Sequence, residues 1–313
     1  MTKRILLATV IALILTALLP LVLKNYGIYL MTLLGIYIMT TMGLNLTVGY
    51  AGQISLGQAA FLGIGAYTGA ILMKAGWSFW FALPSAAIIC FVVGLVLGFP
   101  ALRVQHHYLA FATLGFGVLM FLVFRNEEWL TGGTFGISNI ARPSLFGLSF
   151  DAPLAYFYLT YVSTIVLVLI LWWILRSPWG RAFAALRDNP IRAESLGINI
   201  TAYTLLAFAI GAACAGIAGV YLASLIEFIE PGPFALSQSL MFLLAVIVGG
   251  SGRFLGPVVG TIIAFMLQEW LRFMQNWYLA FFGFAIVALM VWLPGGLLSL
   301  TDRLKHRAPA KQR

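Results

Sequence analysis

"TAYTLLAFAIGAACAGIAGVYLASLI", residues 201–226, is a run of 26 residues without a charged side chain. A transmembrane α-helix needs about 20 consecutive apolar residues to cross the hydrocarbon core of a bilayer. The 313-residue chain has this character throughout, since 62% of it is hydrophobic and only 9% is charged. An outer-membrane barrel would alternate apolar and polar residues, and these runs do not. The composition therefore predicts an all-α, polytopic helical bundle in a membrane.

Further apolar segments lie on both sides of this run, and together they predict a single transmembrane domain over residues 1–313. The third and eighth segments, with 16 and 13 residues, are too short to cross a core of about 30 Å as straight helices. They must be tilted, broken or buried inside the bundle. The ten expected membrane segments are about 5–23, 26–48, 58–73, 77–99, 108–124, 154–175, 201–226, 238–250, 254–271 and 277–293.

The basic residues indicate how the bundle is oriented. Ten segments place both termini on one side, and that side then holds 13 of the 18 Lys and Arg residues. This asymmetry is typical of a cytoplasmic face, so both termini, the loop 176–200 and the basic tail 300–313 are expected there. The formal charge of +9 follows this distribution and does not indicate nucleic-acid binding. The loop 125–153 and the acidic stretch 227–234 then lie outside, either as plain solvated loops or as contacts for a partner.

The cytoplasmic loop, "RSPWGRAFAALRDNPIRAESLGINI" at 176–200, predicts two short helices. Ser177-Pro178 and Asn189-Pro190 each combine an N-cap residue with Pro at the first helical position. The first helix places Trp179, Phe183 and Leu186 on one apolar stripe. Gly197 is expected to end the second helix in the left-handed conformation. So short a helix needs a surface to pack on, either the end of the bundle or a separate protein.

Two glycine-rich blocks interrupt the apolar pattern, "VGYAGQISLGQAAFLGIGAY" at residues 48–67 and "VGGSGRFLGPVVG" at residues 248–260. Paired interruptions of membrane segments often mark the pathway of a transporter. Uncharged polar residues at membrane depth face protein or water, so they either line a path for a small zwitterion or join helices by hydrogen bonds. The residues predicted to line the path are Asn45, Thr47, Gly49, Gly52, Gln53, Ser55, Gln58, Gly249 and Gly252.

The sequence argues against an enzyme. The membrane segments hold no paired carboxylates, no Ser/His/Asp set and no Cys/His cluster at metal spacing, so neither catalytic residues nor metal ligands are predicted. No Gly-x-x-x-x-Gly-Lys-Ser/Thr stretch occurs, and this chain therefore has no P-loop to bind a nucleotide. Ionisable residues are scarce inside the membrane segments, with Glu269 as the exception. This scarcity argues against a proton symporter but not against a sodium-coupled carrier.

Three stretches together resemble the branched-chain amino-acid permeases of ATP-binding-cassette (ABC) importers. They are "GLNLTVGYAGQISLGQAAFLGIGAYTGAIL" at 43–72, "LRSPWGRAFAALRDNPIRAESLGINITAYTLLAFAIGAACAGIAGVYLA" at 175–223 and "AVIVGGSGRFLGPVVGTIIA" at 245–264. The arrangement Gln53-x-Ser55-x-x-Gln58 is similar to that of the M-type subunit. The Asn-Phe-Ala-His-Gly-like stretch that is usual in the H-type subunit is missing here.

The resemblance implies a function and a set of partners. The chain would form the membrane path for branched-chain amino acids, paired with an H-type permease subunit. Two cytoplasmic ABC ATPases would bind below and use ATP and Mg²⁺, while this chain would bind no cofactor. A periplasmic binding protein would deliver the amino acids. The residues expected to couple to the ATPase are Arg187, Asp188, Asn189, Pro190, Ile191, Arg192, Ala193, Glu194, Ser195, Leu196 and Gly197.

Two alternatives remain open from the sequence. Related ABC permeases share the same stretches, so the transported ligand could instead be urea or a short amide. A stand-alone secondary transporter could use the short third and eighth segments as broken helices. The identity of the transported ligand distinguishes the first alternative from a branched-chain amino-acid importer. The presence of partner ATPases distinguishes an ABC importer from the second alternative, a secondary transporter.

Overall fold

The computed structural model describes residues 15–101, 106–145, 147–271, 283–284 and 296–297. In this part of the chain the structure is almost entirely helical, and its strands have two residues each: β1 Ile137–Ser138, β2 Ser144–Leu145, β3 Leu148–Ser149 and β4 Phe228–Ile229. The α-helices are α1 Asn25–Asn45, α2 Gln58–Lys74, α3 Phe79–Ala101, α4 His106–Asn126, α5 Glu128–Thr131, α6 Pro153–Arg176, α7 Pro178–Asp188, α8 Pro190–Ser195, α9 Ile200–Ile226, α10 Leu236–Gly249 and α11 Gly256–Leu271.

The prediction of an all-α membrane protein is confirmed at this level. In the described part of the chain five helices are long and apolar enough to cross a membrane: α1 with its extension to Tyr50, α3, α4, α6 and α9. Most of the first predicted segment, most of the tenth and the basic tail 300–313 lie outside the described residues. The count of ten segments and the side of the termini therefore remain predictions.

Helix α9 lies at the centre of the bundle, where it packs against α1, α2 and α3. Its apolar window is 72% buried, whereas that of α4 is 22% buried. Small residues bring the helix backbones together, as is common in membranes. A Cβ atom added at Gly65 of α2 would overlap the carbonyl oxygen of Gly216 in α9, and one at Gly219 would overlap the carbonyl oxygen of Leu62. Close backbone contact with α2 thus fixes the centre of the fold.

The short third segment is buried inside the bundle, which is one of the three arrangements that its length predicted. Helix α2 has 17 residues, and most of them are buried. The short helices α10 and α11 lie antiparallel and pack against each other. A Cβ at Gly249 would overlap the carbonyl oxygen of Gly256, and one at Gly260 would overlap that of Ala245. With 14 and 16 residues, they are about 21 and 24 Å long.

The bundle has two distinct ends, which α6 separates by about 36 Å over its 24 residues. At the end that we call the strand end, β1 pairs with β4, so that Ile137 lies opposite Ile229. An ion pair of 2.6 Å between Arg142 and Glu227 adds to this contact. The two stretches that the sequence predicts to share one side therefore lie together. The opposite end, which carries α7 and α8, is called the loop end below.

The contact between α2 and α9 leads to the first prediction. We expect Gly65→Ala to force these helices apart and to lower the free energy of unfolding by about 1–3 kcal/mol, the usual cost of overpacking. The measurement is the thermal unfolding of the purified protein in detergent. The control is Gly115→Ala in α4, because a Cβ there would have no neighbour within 4 Å and alanine is the better helix former. Equal stability of the two variants would contradict this packing.

Candidate functional site

A non-helical segment enters the bundle from the loop end. Helix α1 continues as a π-helical turn, Leu46–Tyr50, and residues 51–57 then run without regular structure to the start of α2. The side-chain amide of Gln58 donates to the carbonyl oxygens of Thr40, at 3.0 Å, and Gly211, at 3.2 Å. Gly211 is the twelfth residue of α9, counted from the loop end. The hydrogen bond from Gln58 to Gly211 therefore lies about 16 Å from that end, measured along α9.

Non-helical backbone is tolerated at membrane depth only where protein or a water-filled cavity supplies partners for its polar groups. Here the side-chain hydroxyl of Thr113 in α4 does so, because it accepts from the Leu56 amide at 3.0 Å. Ser239 of α10 accepts at 3.0 Å from the amide of Ala59, which lies in the first turn of α2, where backbone amides have no partner within the helix. Neither residue is predicted from the sequence, since each is an isolated hydroxyl in an apolar helix. Only the position of the segment reveals their role.

The structure brings the predicted path residues together in this region, mostly as buried groups. Both Asn45 and Gln58 hydrogen bond to other segments, which is also the ordinary way in which polar groups join membrane helices. Their role in a path stays a prediction. Buried members are Asn45, Thr47, Gly49, Gln53, Ser55, Gln58 and Gly249, whereas Gly252 is half-buried and Gly52 is exposed.

The two glycine blocks, distant in sequence, are in direct contact. The side-chain oxygen of Asn45 accepts from the Gly252 amide at 2.9 Å, and its amide nitrogen donates to the Arg253 carbonyl oxygen at 3.1 Å. A Cβ at Gly49 would overlap the Gly252 nitrogen. We call the contact of residues 45–52 with residues 249–253 the glycine junction. Asn45 therefore binds both polar groups of a turn that carries part of the predicted path.

The loop 176–200 folds as its capping residues predict. Ser177 Oγ accepts from the Trp179 amide at 3.2 Å, and Asn189 Oδ1 accepts from the Arg192 amide at 3.0 Å. Gly197 follows α8 with φ of +84°, which is the left-handed conformation expected for the residue that ends a helix. Both helices and the stop predicted by the sequence are confirmed.

One member of the predicted apolar stripe is misplaced. Phe183 and Leu186 are buried, but Trp179 is 46% exposed. The reason lies at the neighbouring position, where a Cβ at Gly180 would overlap the carbonyl oxygen of Leu175. The turn between α6 and α7 is so tight that Gly180 takes the inward position, and Trp179 is rotated toward the outside.

Helix α8 exposes two large aliphatic side chains. Ile191 and Leu196 are each 80% exposed, whereas Ala193 between them is 2% exposed and anchors the helix on its own chain. Isolated exposed apolar residues are common on protein surfaces. Here Ile191 lies on the capped six-residue helix and Leu196 is its C-cap residue. With charged Arg192 and Glu194 also exposed, they make a small amphipathic projection.

Two cavities of the described residues lie away from the glycine junction. A crevice of about 450 Å³ between α3, α6 and α9 is lined almost entirely by apolar side chains and includes none of the predicted path residues. An open pocket of about 550 Å³ at the strand end is lined by Asn139, Arg142, Asp151 and Glu227, among others. In the described part of the chain no group of three or more His, Cys, Asp or Glu side chains is placed to hold a metal ion.

The family model described as branched-chain amino acid transport system, permease component, matches residues 26–292. The chain belongs to this family. The match covers both blocks of the glycine junction and the whole of α7 and α8. Membership confirms the resemblance found on the three sequence stretches, and it fits the view that the chain is a transport component and not an enzyme.

Individual permeases that are similar to this chain include two M-type proteins. The chain is 36% identical over 265 residues to the high-affinity branched-chain amino acid transport system permease protein LivM of Salmonella typhimurium, and 37% identical to that of Escherichia coli K12. Each alignment covers 77% of this chain and 62% of the relative, so the chain spans less than two thirds of the length of these relatives. The assignment to the M-type is confirmed by this similarity.

A more distant permease and the solved structures complete the comparison. The autoinducer 2 import system permease protein LsrC of Escherichia coli O9:H4 is 28% identical over 218 residues, which cover 64% of this chain and 60% of the relative. No solved structure gives a significant match to the chain. Permeases with different cargoes thus share much of this sequence.

The glycine junction gives the second prediction. We expect Asn45→Ala to lower the free energy of unfolding by about 2–3 kcal/mol, because two hydrogen bonds are lost and buried backbone groups are left without partners. The control is Thr32→Val in the same helix, since the buried Thr32 hydroxyl donates to Ile28 one turn back. That variant should change stability by less than about 1 kcal/mol. Thermal unfolding in detergent measures both, and an unaffected Asn45→Ala protein would contradict the assigned role.

Proposed function

We propose that this chain is the M-type permease subunit of an ABC importer for branched-chain amino acids. The family match over residues 26–292 carries the proposal, and the names of the two M-type relatives supply the ligand class. The geometry supports it through one feature, the capped helix α8 that exposes Ile191 and Leu196 at one end of the bundle. A permease without a nucleotide-binding loop needs such a contact to receive work from a separate ATPase.

The proposed setting is the inner membrane of a bacterium, with ten membrane segments, both termini in the cytoplasm and the loop end facing the cytoplasm. The charge distribution favours this orientation. Arg176, Arg181, Arg187 and Arg192 lie in or beside α7 and α8 at the loop end, whereas the strand end includes the acidic stretch 227–234. The strand end would then meet the periplasmic binding protein that delivers the amino acid.

The proposed partners are an H-type permease subunit, two cytoplasmic ABC ATPases and the periplasmic binding protein. ATP and Mg²⁺ would be bound by the ATPases, and no cofactor by this chain. Within the complex the segment 188–197 would sit on an ATPase, with the Ile191 and Leu196 side chains in an apolar groove. Because these side chains are already exposed on a capped helix, docking would require little ordering of this loop.

The proposed amino-acid path follows the non-helical segment and the glycine junction. Broken membrane segments offer backbone and side-chain polar groups at membrane depth, and the amide and hydroxyl groups of Asn45, Gln53, Ser55 and Gln58 lie along this segment. Uncharged groups of this kind can pass a zwitterion by hydrogen bonds without holding it in a strong ion pair. The glycine junction would move as a unit when the importer changes between its outward-open and inward-open states.

The exposed aliphatic side chains of α8 provide the third prediction. We expect Ile191→Asp and Leu196→Asp each to weaken the contact with the ATPase and to lower ATP-driven uptake about tenfold, since a charge would be buried in an apolar groove. The measurement is uptake of labelled leucine into proteoliposomes that contain the permease pair, the ATPases and ATP, with added binding protein.

The matched control is Phe135→Asp, because Phe135 is 84% exposed and lies beside β1 at the strand end. That variant should assemble normally with the ATPases. If Ile191→Asp and Leu196→Asp purified with the ATPases and transported like the unchanged complex, α8 would not be the coupling contact.

The fourth prediction concerns the transported ligand. We expect leucine, isoleucine and valine to bind the partner binding protein and to be taken up by the complex, while urea and short amides are not. Isothermal titration calorimetry on the binding protein, followed by uptake with each ligand, tests this point. ATP-dependent uptake of urea alone would favour the related amide importers, and uptake without any ATPase would favour a secondary transporter.

A further inference from the structure

The side chain of Arg187 connects the loop helices with the glycine junction. Arg187 lies in the last turn of α7, and α7 packs against the π-helical turn Leu46–Tyr50. A Cβ added at Gly52 would lie 3.8 Å from Arg187 Cα and 3.9 Å from Arg187 Cγ. A Cβ at Gly252 would overlap Arg187 Nη1. One arginine thus spans both glycine blocks, with its aliphatic part on the first and its guanidinium group on the second.

The backbone of both glycines makes room for this arrangement. Gly52 has φ of +69° and Gly252 has φ of +75°, a conformation that residues with a Cβ rarely adopt. At Gly252 the guanidinium group occupies the space that a side chain would fill, and the amide of the same residue donates to Asn45. Arg187 and Asn45 therefore contact one turn from two sides.

Electrostatics favour a cation at this place. The π-helical turn ends at Tyr50, α10 ends at Gly249, and α7 ends one residue beyond Arg187. The C-terminus of a helix carries partial negative charge, so positive side chains are stabilised beside it. The Cβ at Gly252 that would overlap Arg187 Nη1 would also lie 2.6 Å from the carbonyl oxygen of Gly49 in the π-helical turn, so this carbonyl group lies close to the Arg187 guanidinium group. A neutral side chain could fill part of the space but would lack this attraction.

We propose that Arg187 is a positioning residue that makes α7, α8 and the glycine junction move as one rigid body. This inference rests on the proposed function, since it says how a push from an ATPase on α8 reaches the broken membrane segments. Arg187 would act within the permease and not by binding the ATPase, which differs from the direct ATPase contact that the family resemblance implies for it. Movement of α8 would displace the Gly252 turn, and Asn45 would carry the displacement into α1.

The test compares uptake with ATP hydrolysis. We expect Arg187→Ala to assemble with the ATPases and to hydrolyse ATP at the basal rate, but to move about tenfold less leucine per ATP, the effect of losing roughly 1.4 kcal/mol of coupling. Stimulation of the ATPase by loaded binding protein should fall as well, because a signal from the strand end would have to reach α8 through the same contacts. The control is Arg181→Ala, which removes another exposed arginine of α7. An unchanged ratio of uptake to hydrolysis in Arg187→Ala would overturn the proposal.

A cross-link tests the rigid-body idea separately. The pair Gly52→Cys and Arg187→Cys should form a disulfide in the isolated permease pair under mild oxidation, since the two positions are close and the native Cys90 and Cys214 are buried. We expect the oxidised protein to regain coupling that the reduced protein lacks, because a covalent bond replaces the arginine contact. The single variant Gly52→Cys controls for strain at that glycine.

The cross-link and the uptake measurement distinguish the proposed role of Arg187 from the proposed function of the complex. Failure of the disulfide to form, or a disulfide that blocks transport, would overturn the role of Arg187 even if the complex is an importer. If the disulfide forms but the unchanged complex shows no ATP-driven uptake, the proposed function fails, and with it the role that rests on that function.

Discussion

Backbone polar groups inside a membrane must find partners within the protein, and the site described here depends on that constraint. A helix meets the requirement by itself, but residues 51–57 are not helical. Their presence in the bundle requires hydrogen-bond partners on other helices, and Thr113 of α4 supplies one of them to Leu56. Ser239 of α10 supplies a partner to the Ala59 amide in the first turn of α2, directly after this segment. Helices α4 and α10 therefore hold the irregular segment and the start of the helix that follows it.

The close packing of α9 on α2 is also a consequence of the membrane environment. Lipid tails are as apolar as the side chains of the helices, so burial of apolar surface does not drive helices together in a bilayer. Contact between backbones does, and it requires residues without bulk at Gly65, Gly216 and Gly219. The high glycine content of the chain is thus partly a packing requirement. The same residue type serves a different purpose at Gly52 and Gly252, where the left-handed backbone requires it.

The glycine junction joins the parts of the chain that the proposed importer would use. On one side it contacts the segment with the buried polar residues, and on the other it contacts α7 through Arg187. The relatives include permeases named for branched-chain amino acids and for autoinducer 2. A contact that transmits movement between helices need not differ with the transported molecule, whereas the groups that line a path must match that molecule. The two roles can therefore reside in neighbouring residues of one segment.

The sequence by itself determined the membrane class, the approximate extent of the long helices and the capped helices of the loop. These features follow from local rules, namely the length of an apolar run and the geometry of Ser-Pro, Asn-Pro and glycine at helix ends. It also indicated that the two glycine blocks correspond. The family resemblance added a function, which periodicity and spacing alone could not provide.

Only the tertiary structure decided which side chains meet. The bonds from Asn45 to the Gly252 turn join residues about 200 positions apart, and no local pattern encodes that distance. The outward rotation of Trp179 likewise depends on the tight turn between α6 and α7. Thr113 and Ser239 became recognisable only when a non-helical segment was placed beside them. A hydrogen bond needs its two partners within about 3 Å, and for residues this far apart only the packing of the whole bundle sets that distance.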